Sequence, residues 1–506
     1  MSSADVRPRG AFRAGLVLGV LVLVLQLAVL VALPFAVRPL AGALPAPVPG
    51  GSGAPVGQGT DGVGDPYFPD YGAGGYDAQR YAVDVSWNPA DARLTGRTVV
   101  TARATQPLTG FSLDLALTVT AVRVDGRPAT FRTDGFQDLR ITPASTIPTG
   151  ATFRVEVEYG GRPATISRDG IRPFSITGDE VLVAGEPESS AWWFPANDHP
   201  SDPALMDVTA RVPTGWQAVS TGALAGHTAD PVRGQDVWHW VSDRPSATYL
   251  SFLALGRFEV RQGTADGRPY VYAVSRRLSA GERRRAFAQL ERTPQVIRVL
   301  EGLFGPYPFG QIGGLVPAAR LWFDGLETQT RPVYAAGAMT RGDAGELLSH
   351  ELSHMWFGDN VTLAQWNDIF DNEAWASWGA WAYRERTGGP TAEQQFLELY
   401  GRAEDSTRFW RVGLLDPGRD HLFDVVYLRG PMTLQALRNR MGDAAFLAMA
   451  RDWAQTPGTR SLENWMVTTQ HAADRSGSGV DLTSFFQAWL VTPAAPARTV
   501  ANGFPR

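Results

Sequence analysis

Cysteine is absent from the 506-residue sequence. No disulfide can staple the fold, and any bound metal has to be held by histidine and carboxylate rather than thiolate. Lysine is absent as well, so all 46 basic residues are arginine. Set against 51 acidic residues they leave a formal net charge of -5, which is mild and gives no electrostatic reason for a nucleic-acid partner. Histidine is scarce, with seven in the chain, so a closely spaced pair is informative. Apolar residues make up 44% and charged residues 19%. That is the balance of a folded chain, and the length suffices for two or three domains with large cores.

The one long apolar run lies at the start. Arg7, Arg9 and Arg13 precede 24 residues from Ala14 to Val37, interrupted mildly by Gln26 and Pro34, and Arg38 follows alone. The run exceeds the ~7–15 residues of a signal-peptide core and matches the ~20 needed to span a bilayer. The arginine excess before it predicts a cytoplasmic start and an exported remainder. An uncleaved signal anchor over residues 1–37 is expected. The alternative is a long signal peptide cut near Ala41-Gly42-Ala43, and both put the rest outside the cytoplasm.

Residues 38–65 are rich in Pro, Gly and Ala and predict a linker. From 66 to 258 the pattern is β. Tyr81, Val83, Val85 and Trp87 alternate with smaller or polar neighbours, as Phe153, Val155, Val157 and Tyr159 do with Arg154, Glu156 and Glu158. One polar face per strand predicts a sheet sandwich or saddle. From 259 to 506 helical periodicity takes over. Ser279 to Phe304 reads as one helix, with Ser279 as N-cap and Glu282 completing a capping box. Helices are expected over 344–358 and 372–386, and a tail of short helices from about 427, the first beginning at Pro431.

Chemistry concentrates in His350-Glu351-Leu352-Ser353-His354, followed after eighteen residues by Glu373. Residues i and i+4 share one face of a helix, so both imidazoles reach a single ion. Two histidines and a carboxylate leave a fourth zinc position open for water, the arrangement of a catalytic site. Glu351, beside the metal without ligating it, is placed to act as general base toward that water and to pass the proton to a leaving amine. One zinc per chain is expected, although the ligand types alone admit other divalent ions.

Phe304-Gly305-Pro306-Tyr307-Pro308-Phe309, the run His350 to Gly358, Val361-Thr362, Trp366 and Asn372-Glu373 together resemble the aminopeptidase N family. This gluzincin family includes leukotriene A hydrolase, and the sequence is most like its exported actinobacterial members. The resemblance runs from about residue 66 to 490. It implies an α+β multidomain fold, an all-β saddle domain followed by a thermolysin-like mixed α/β catalytic domain with a short helical tail. It also implies a zinc aminopeptidase acting on peptides with a free N-terminus.

The family's exopeptidase motif is matched by Asp324-Gly325-Leu326-Glu327-Thr328. The resemblance implies that Glu327 binds the substrate's α-amine and that the strand edge at Gly325 pairs with its backbone. Glu186, shortly before Phe194-Pro195, falls where the family has a second amine-binding acid. Tyr427 in Tyr427-Leu428-Arg429-Gly430 matches the residue that stabilises the oxyanion. Asp324 and Thr328 depart from the usual motif, and what Asp324 does is left open. The sequence ends soon after Leu490, without the large C-terminal helical domain of many relatives, so a more open cleft is expected. Two rival readings stand beside the exopeptidase: an inactive peptidase scaffold retained as a binding module, and a thermolysin-type endopeptidase.

Overall fold

The computed structural model describes residues 57–476 and 479–505. Among the described residues no helix is long and apolar enough to cross a membrane. The expected anchor over 1–37 and residues 38–56 of the expected linker lie outside the described residues.

The first part of the chain is β. An eight-stranded sheet runs in the order Ala223–Asp230, Gln235–Val241, Leu205–Pro213, Tyr76–Asn88, Arg93–Ala104, Thr152–Gly161, Thr118–Val124, Arg127–Pro128. All its pairings are antiparallel except Tyr76–Asn88 against Leu205–Pro213. The two alternating runs read from the sequence are central here, and Tyr81, Val83, Val85, Trp87, Phe153, Val155, Val157 and Tyr159 are all buried. With a side-chain period of two, one face of each strand enters the core and the other stays wet. A four-stranded and a three-stranded sheet complete this region, and together these strands build one hydrophobic core.

A second core gathers the helices. Between the two lies a five-stranded sheet in the order Phe258–Ala265, Arg268–Ser275, Ile312–Val316, Val333–Tyr334, Gly325–Leu326. Arg331 joins this sheet to the β region. Its guanidinium donates to the carbonyls of Ser220, Gly222 and Val271 and lies 4.6 Å over the Trp240 ring. Burial pushes it down to about 9.

Four expectations need correction. The single helix over 279–304 is two, Ala280–Leu290 and Thr293–Phe304. Pro294 cannot continue a helix from upstream but suits the first turn of a new one, while the Ser279–Glu282 capping box is as expected. The first motif helix is shorter, Gly345–Ser353. The chain turns at Gly358 (φ 123°), where its N–H donates to the Val361 carbonyl, to enter the strand Val361–Leu363. The first tail helix begins five residues early, at Val426, because the Leu428 and Arg429 N–H groups close a turn on the Val425 carbonyl ahead of Pro431. Finally, residues 57–65 of the expected tether are packed. Asp65 is buried and accepts hydrogen bonds from the backbone of Tyr67, Phe68 and Trp366, and from His199 Nε2 at 3.1 Å.

Candidate metal centre and active site

Three helices and one strand converge on the site. Gly345–Ser353 carries His350 and Glu351, with His354 capping its end. Phe370–Arg386 carries Glu373 in its first turn. Val426–Met441 carries Tyr427. Glycines let these helices close up. A Cβ at Gly379 would stand 2.2 Å from Ser353 Oγ, and one at Gly430 would stand 2.6 Å from Ala374 Cβ. The second contact explains the glycine in Tyr427-Leu428-Arg429-Gly430: it draws the tyrosine helix against the one that bears Glu373. Arg429 points elsewhere, donating to the carbonyls of Trp410, Val412 and Thr492.

The Nε2 atoms of His350 and His354 face each other at 3.2 Å. Glu373 Oε2 lies 3.2 Å from the first and 3.5 Å from the second. Ligand atoms about 2.05 Å from one tetrahedral ion stand roughly 3.3 Å apart, so these three separations fit a zinc set. Glu373 Oε2 is buried without an aligned hydrogen-bond partner, which is an orphan acceptor that a cation satisfies. His354 Nδ1 donates to the Phe357 carbonyl at 3.0 Å. That bond selects the tautomer whose Nε2 lone pair faces the cluster. Burial pulls His354 down, but Glu373 and Glu327 outweigh it and hold the imidazole well above its ordinary value. Burial opposes ionisation of Glu373, yet His354 and His350 bring it to about 2.

Glu351 and Glu327 sit against His354, their ligand-type atoms within 4.8 Å of one another. Burial, followed by the Glu327, Glu373 and Asp324 carboxylates, pushes Glu351 well up. Its side chain lies directly on Gly325, where a Cβ would stand 2.1 Å from Glu351 Oε1. Gly325–Leu326 is the edge strand of the five-stranded sheet, pairing antiparallel with Val333–Tyr334. Glu327 follows it, buried, and accepts from the Tyr249 hydroxyl at 3.1 Å. Glu186 is buried too, with Oε1 unpartnered, and burial and then Glu327 and Glu373 raise it well above the carboxylate range. Tyr427 rests 6.0 Å from the His350 ring, centroid to centroid. Burial and then Glu373, Glu186 and Glu327 push its phenol far up, so it keeps its proton and remains a donor.

The structure thus brings together every sequence-derived site residue: His350, Glu351, His354, Glu373, Glu327, Glu186, Gly325 and Tyr427. Asp324 is exposed at the rim, its carbonyl taken by the Ala335 N–H. The Thr328 hydroxyl donates to the Arg331 carbonyl at 2.8 Å.

The Peptidase family M1 domain matches residues 332–489, the stretch that holds both motif helices and Tyr427. The chain superposes on the M1 zinc metallopeptidase of Deinococcus radiodurans with a TM-score of 0.74 and 28% identity, covering 82% of this chain and 95% of that one. Residues 332–489 thus carry an M1 peptidase domain, and the chain is similar to aminopeptidases N and to M1 zinc metallopeptidases. An aminopeptidase N from Streptomyces lividans is 24% identical over 81% of this chain and 50% of its own length. A probable aminopeptidase 1 from Sulfurisphaera tokodaii is 23% identical over 62% of this chain and 41% of its own. The chain therefore spans half the length, or less, of these two relatives. The M1 assignment indicates a zinc cofactor, in agreement with the His350, His354 and Glu373 donor set.

Three groups at the M1 site were not singled out from the sequence. The Phe357 carbonyl is a backbone group and leaves no mark in residue identity. Tyr249 lies more than a hundred residues from the zinc motif, in a stretch that reads as ordinary core. Asp359 is buried with both carboxylate oxygens unpartnered, and burial, then Glu327, raises it well above the carboxylate range. A carboxylate five residues after His354, inside an apolar run, was the available signal for the last.

Proposed function

We propose that the chain is a zinc aminopeptidase that removes residues from the free N-terminus of peptides. The observation that carries this reading is a charge imbalance. Glu186, Glu327, Glu351 and Glu373 are each at least nine-tenths buried in one cluster. The charged groups acting most strongly on the first three are one another, Glu373, His354 and, on Glu351, Asp324, with no arginine among the strongest. A divalent cation held by His350, His354 and Glu373 leaves Glu327 and Glu186 uncompensated. A terminal ammonium supplies the missing charge, and two carboxylates gripping it fix the register of cleavage at one residue. This is what an exopeptidase needs and an endopeptidase does not.

Zinc, when bound, supplies Lewis acidity that makes water nucleophilic near neutral pH and polarises the scissile carbonyl. Glu351 takes the proton of the attacking water and delivers it to the leaving amine. Tyr427 donates to the carbonyl oxygen as negative charge develops on it. The free edge of Gly325–Leu326 pairs with the substrate backbone. A mutant of the Deinococcus radiodurans enzyme has been captured with a Tyr-Ser-Ala substrate, which supports a peptide as the ligand here.

The purified full chain should release amino acids from aminoacyl reporters and lose this activity to a zinc chelator. Glu327→Ala should raise KM for free-amine substrates roughly 10–100-fold, the loss of a charge-assisted contact, with a smaller change in kcat. Cleavage confined to N-blocked peptides would overturn the exopeptidase reading in favour of an endopeptidase.

We also propose that the catalytic part lies outside the cytoplasm on a signal anchor formed by residues 14–37. Arg7, Arg9 and Arg13 ahead of the apolar run support this orientation. Full-length chain should sediment with membranes and be open to protease from outside. Unprocessed chain in the cytosolic fraction would count against it.

A further inference from the structure

Tyr249 sits in the short 3-10 turn Thr248–Leu250, between the segments that carry the two amine acids. The turn is held from both sides. Thr248 Oγ1 donates to Asp198 Oδ1 at 2.6 Å, and Ser190 Oγ donates to the Thr248 carbonyl at 2.9 Å. Both partners lie in the stretch that follows Glu186. On the other side the Gln329 N–H, two residues beyond Glu327, donates to the Leu250 carbonyl at 3.1 Å. The Tyr249 ring packs 5.3 Å from Trp366.

The Tyr249 hydroxyl is held from both sides by side chains of the site. The buried tyrosines Tyr76, Tyr159 and Tyr400 give their hydroxyls to backbone carbonyls, those of Ser112, Trp193 and Pro496, and Tyr67 gives its own to the Asp416 carboxylate. Tyr249 instead donates to Glu327 Oε1 at 3.1 Å and accepts from Asn372 Nδ2 at 3.3 Å. Asn372 immediately precedes the zinc ligand Glu373. A single phenol thus links the amine acid to the helix that presents the metal, and the rigid turn beneath it is anchored to the segment following the second amine acid.

We infer that Tyr249 is a positioning residue for recognition of the substrate's ammonium. It holds one oxygen of Glu327, leaves the other to the ammonium, and keys the aim of that carboxylate to the metal-bearing helix. This role rests on the aminopeptidase reading above. A carboxylate free to rotate still attracts an ammonium, but it no longer fixes the distance from the amine to the zinc, and preorganisation of that kind is expressed in binding.

The test compares leucine hydroxamate with its N-acetyl derivative, two metal-directed ligands that differ in the free amine. Dissociation constants are measured by calorimetry on zinc-loaded full chain. Tyr249→Phe keeps the ring and its packing and removes only the hydroxyl. It should weaken leucine hydroxamate about tenfold, the scale of one hydrogen bond to a charged group, and leave the acetylated ligand unchanged. In the Glu327→Ala background the same substitution should change leucine hydroxamate less than about twofold, because the group it positions is gone. Equal weakening of both ligands, or a tenfold loss that persists without Glu327, would assign the phenol to the core and overturn the inference. Unchanged binding in Tyr249→Phe, where wild type prefers the free amine, overturns this role alone. A wild type that binds both ligands equally overturns the aminopeptidase reading and this role with it.

Discussion

Glu351→Gln should cut kcat by roughly three orders of magnitude while zinc content and KM stay near those of wild type. The amide is isosteric but cannot accept a proton, and general acid–base catalysis by one positioned group contributes about 10²–10⁴ in rate. Zinc is retained because the three donor atoms that converge within 3.2–3.5 Å belong to His350, His354 and Glu373, not to Glu351. The environment favours a base. Glu351 is buried, and burial together with Glu327, Glu373 and Asp324 raises its affinity for a proton above that of an ordinary carboxylate. Steady-state kinetics with metal analysis on the same preparation checks the result. Substantial turnover in a zinc-replete Gln variant would remove Glu351 from the role of base, and unchanged biological activity would revive the binding-module reading. Gly325→Ala should reproduce part of the effect. Its Cβ would intrude on the Glu351 side chain, whose carboxyl end can swing aside at little cost to folding but not without leaving its position. Activity should fall about tenfold or more with the melting temperature nearly unchanged.

How far the site could be read in advance depended on which link of the chain carried each residue. The convergence of His350 and His354 was legible because helical geometry converts a spacing of four into a shared face, and the scarcity of histidine, seven in the chain, made that spacing meaningful. The β region was legible for a similar reason, since Tyr81 to Trp87 and Phe153 to Tyr159 alternate with the period of a half-buried strand. Glu327, Glu186 and Tyr427 were reached through resemblance rather than spacing, and no periodicity would have joined residues so far apart in the chain. Contacts made by backbone atoms or by ordinary core residues stayed hidden. The Phe357 carbonyl on His354, the hydroxyl of Tyr249 on Glu327, and the fit of Glu351 over Gly325 all depend on tertiary approach. Helix ends were misjudged where a single residue broke the local pattern, at Pro294 and Gly358, or failed to break it, at Pro431.

Tyr427→Phe should lower kcat by about 10²–10³, with little change in KM for aminoacyl substrates. Removing one oxyanion donor costs roughly 2.7–4 kcal/mol of transition-state stabilisation, and the ground-state carbonyl feels little of it. Three observations support this expectation. Tyr427 lies in the first turn of a helix that Gly430 draws against Ala374, the neighbour of Glu373. Its ring is 6.0 Å from that of His350. Its proton is firmly held, since burial and the surrounding carboxylates of Glu373, Glu186 and Glu327 all disfavour the phenolate. The variant also separates donor from packing. Phenylalanine keeps the ring and the helix contact, so zinc content and thermal stability should match wild type while turnover falls. A parallel fall in kcat and kcat/KM identifies a contact made only as the oxyanion forms. A rise in KM with kcat unchanged would instead make Tyr427 a ground-state binding residue, and the oxyanion would then need another donor among the groups that line the site.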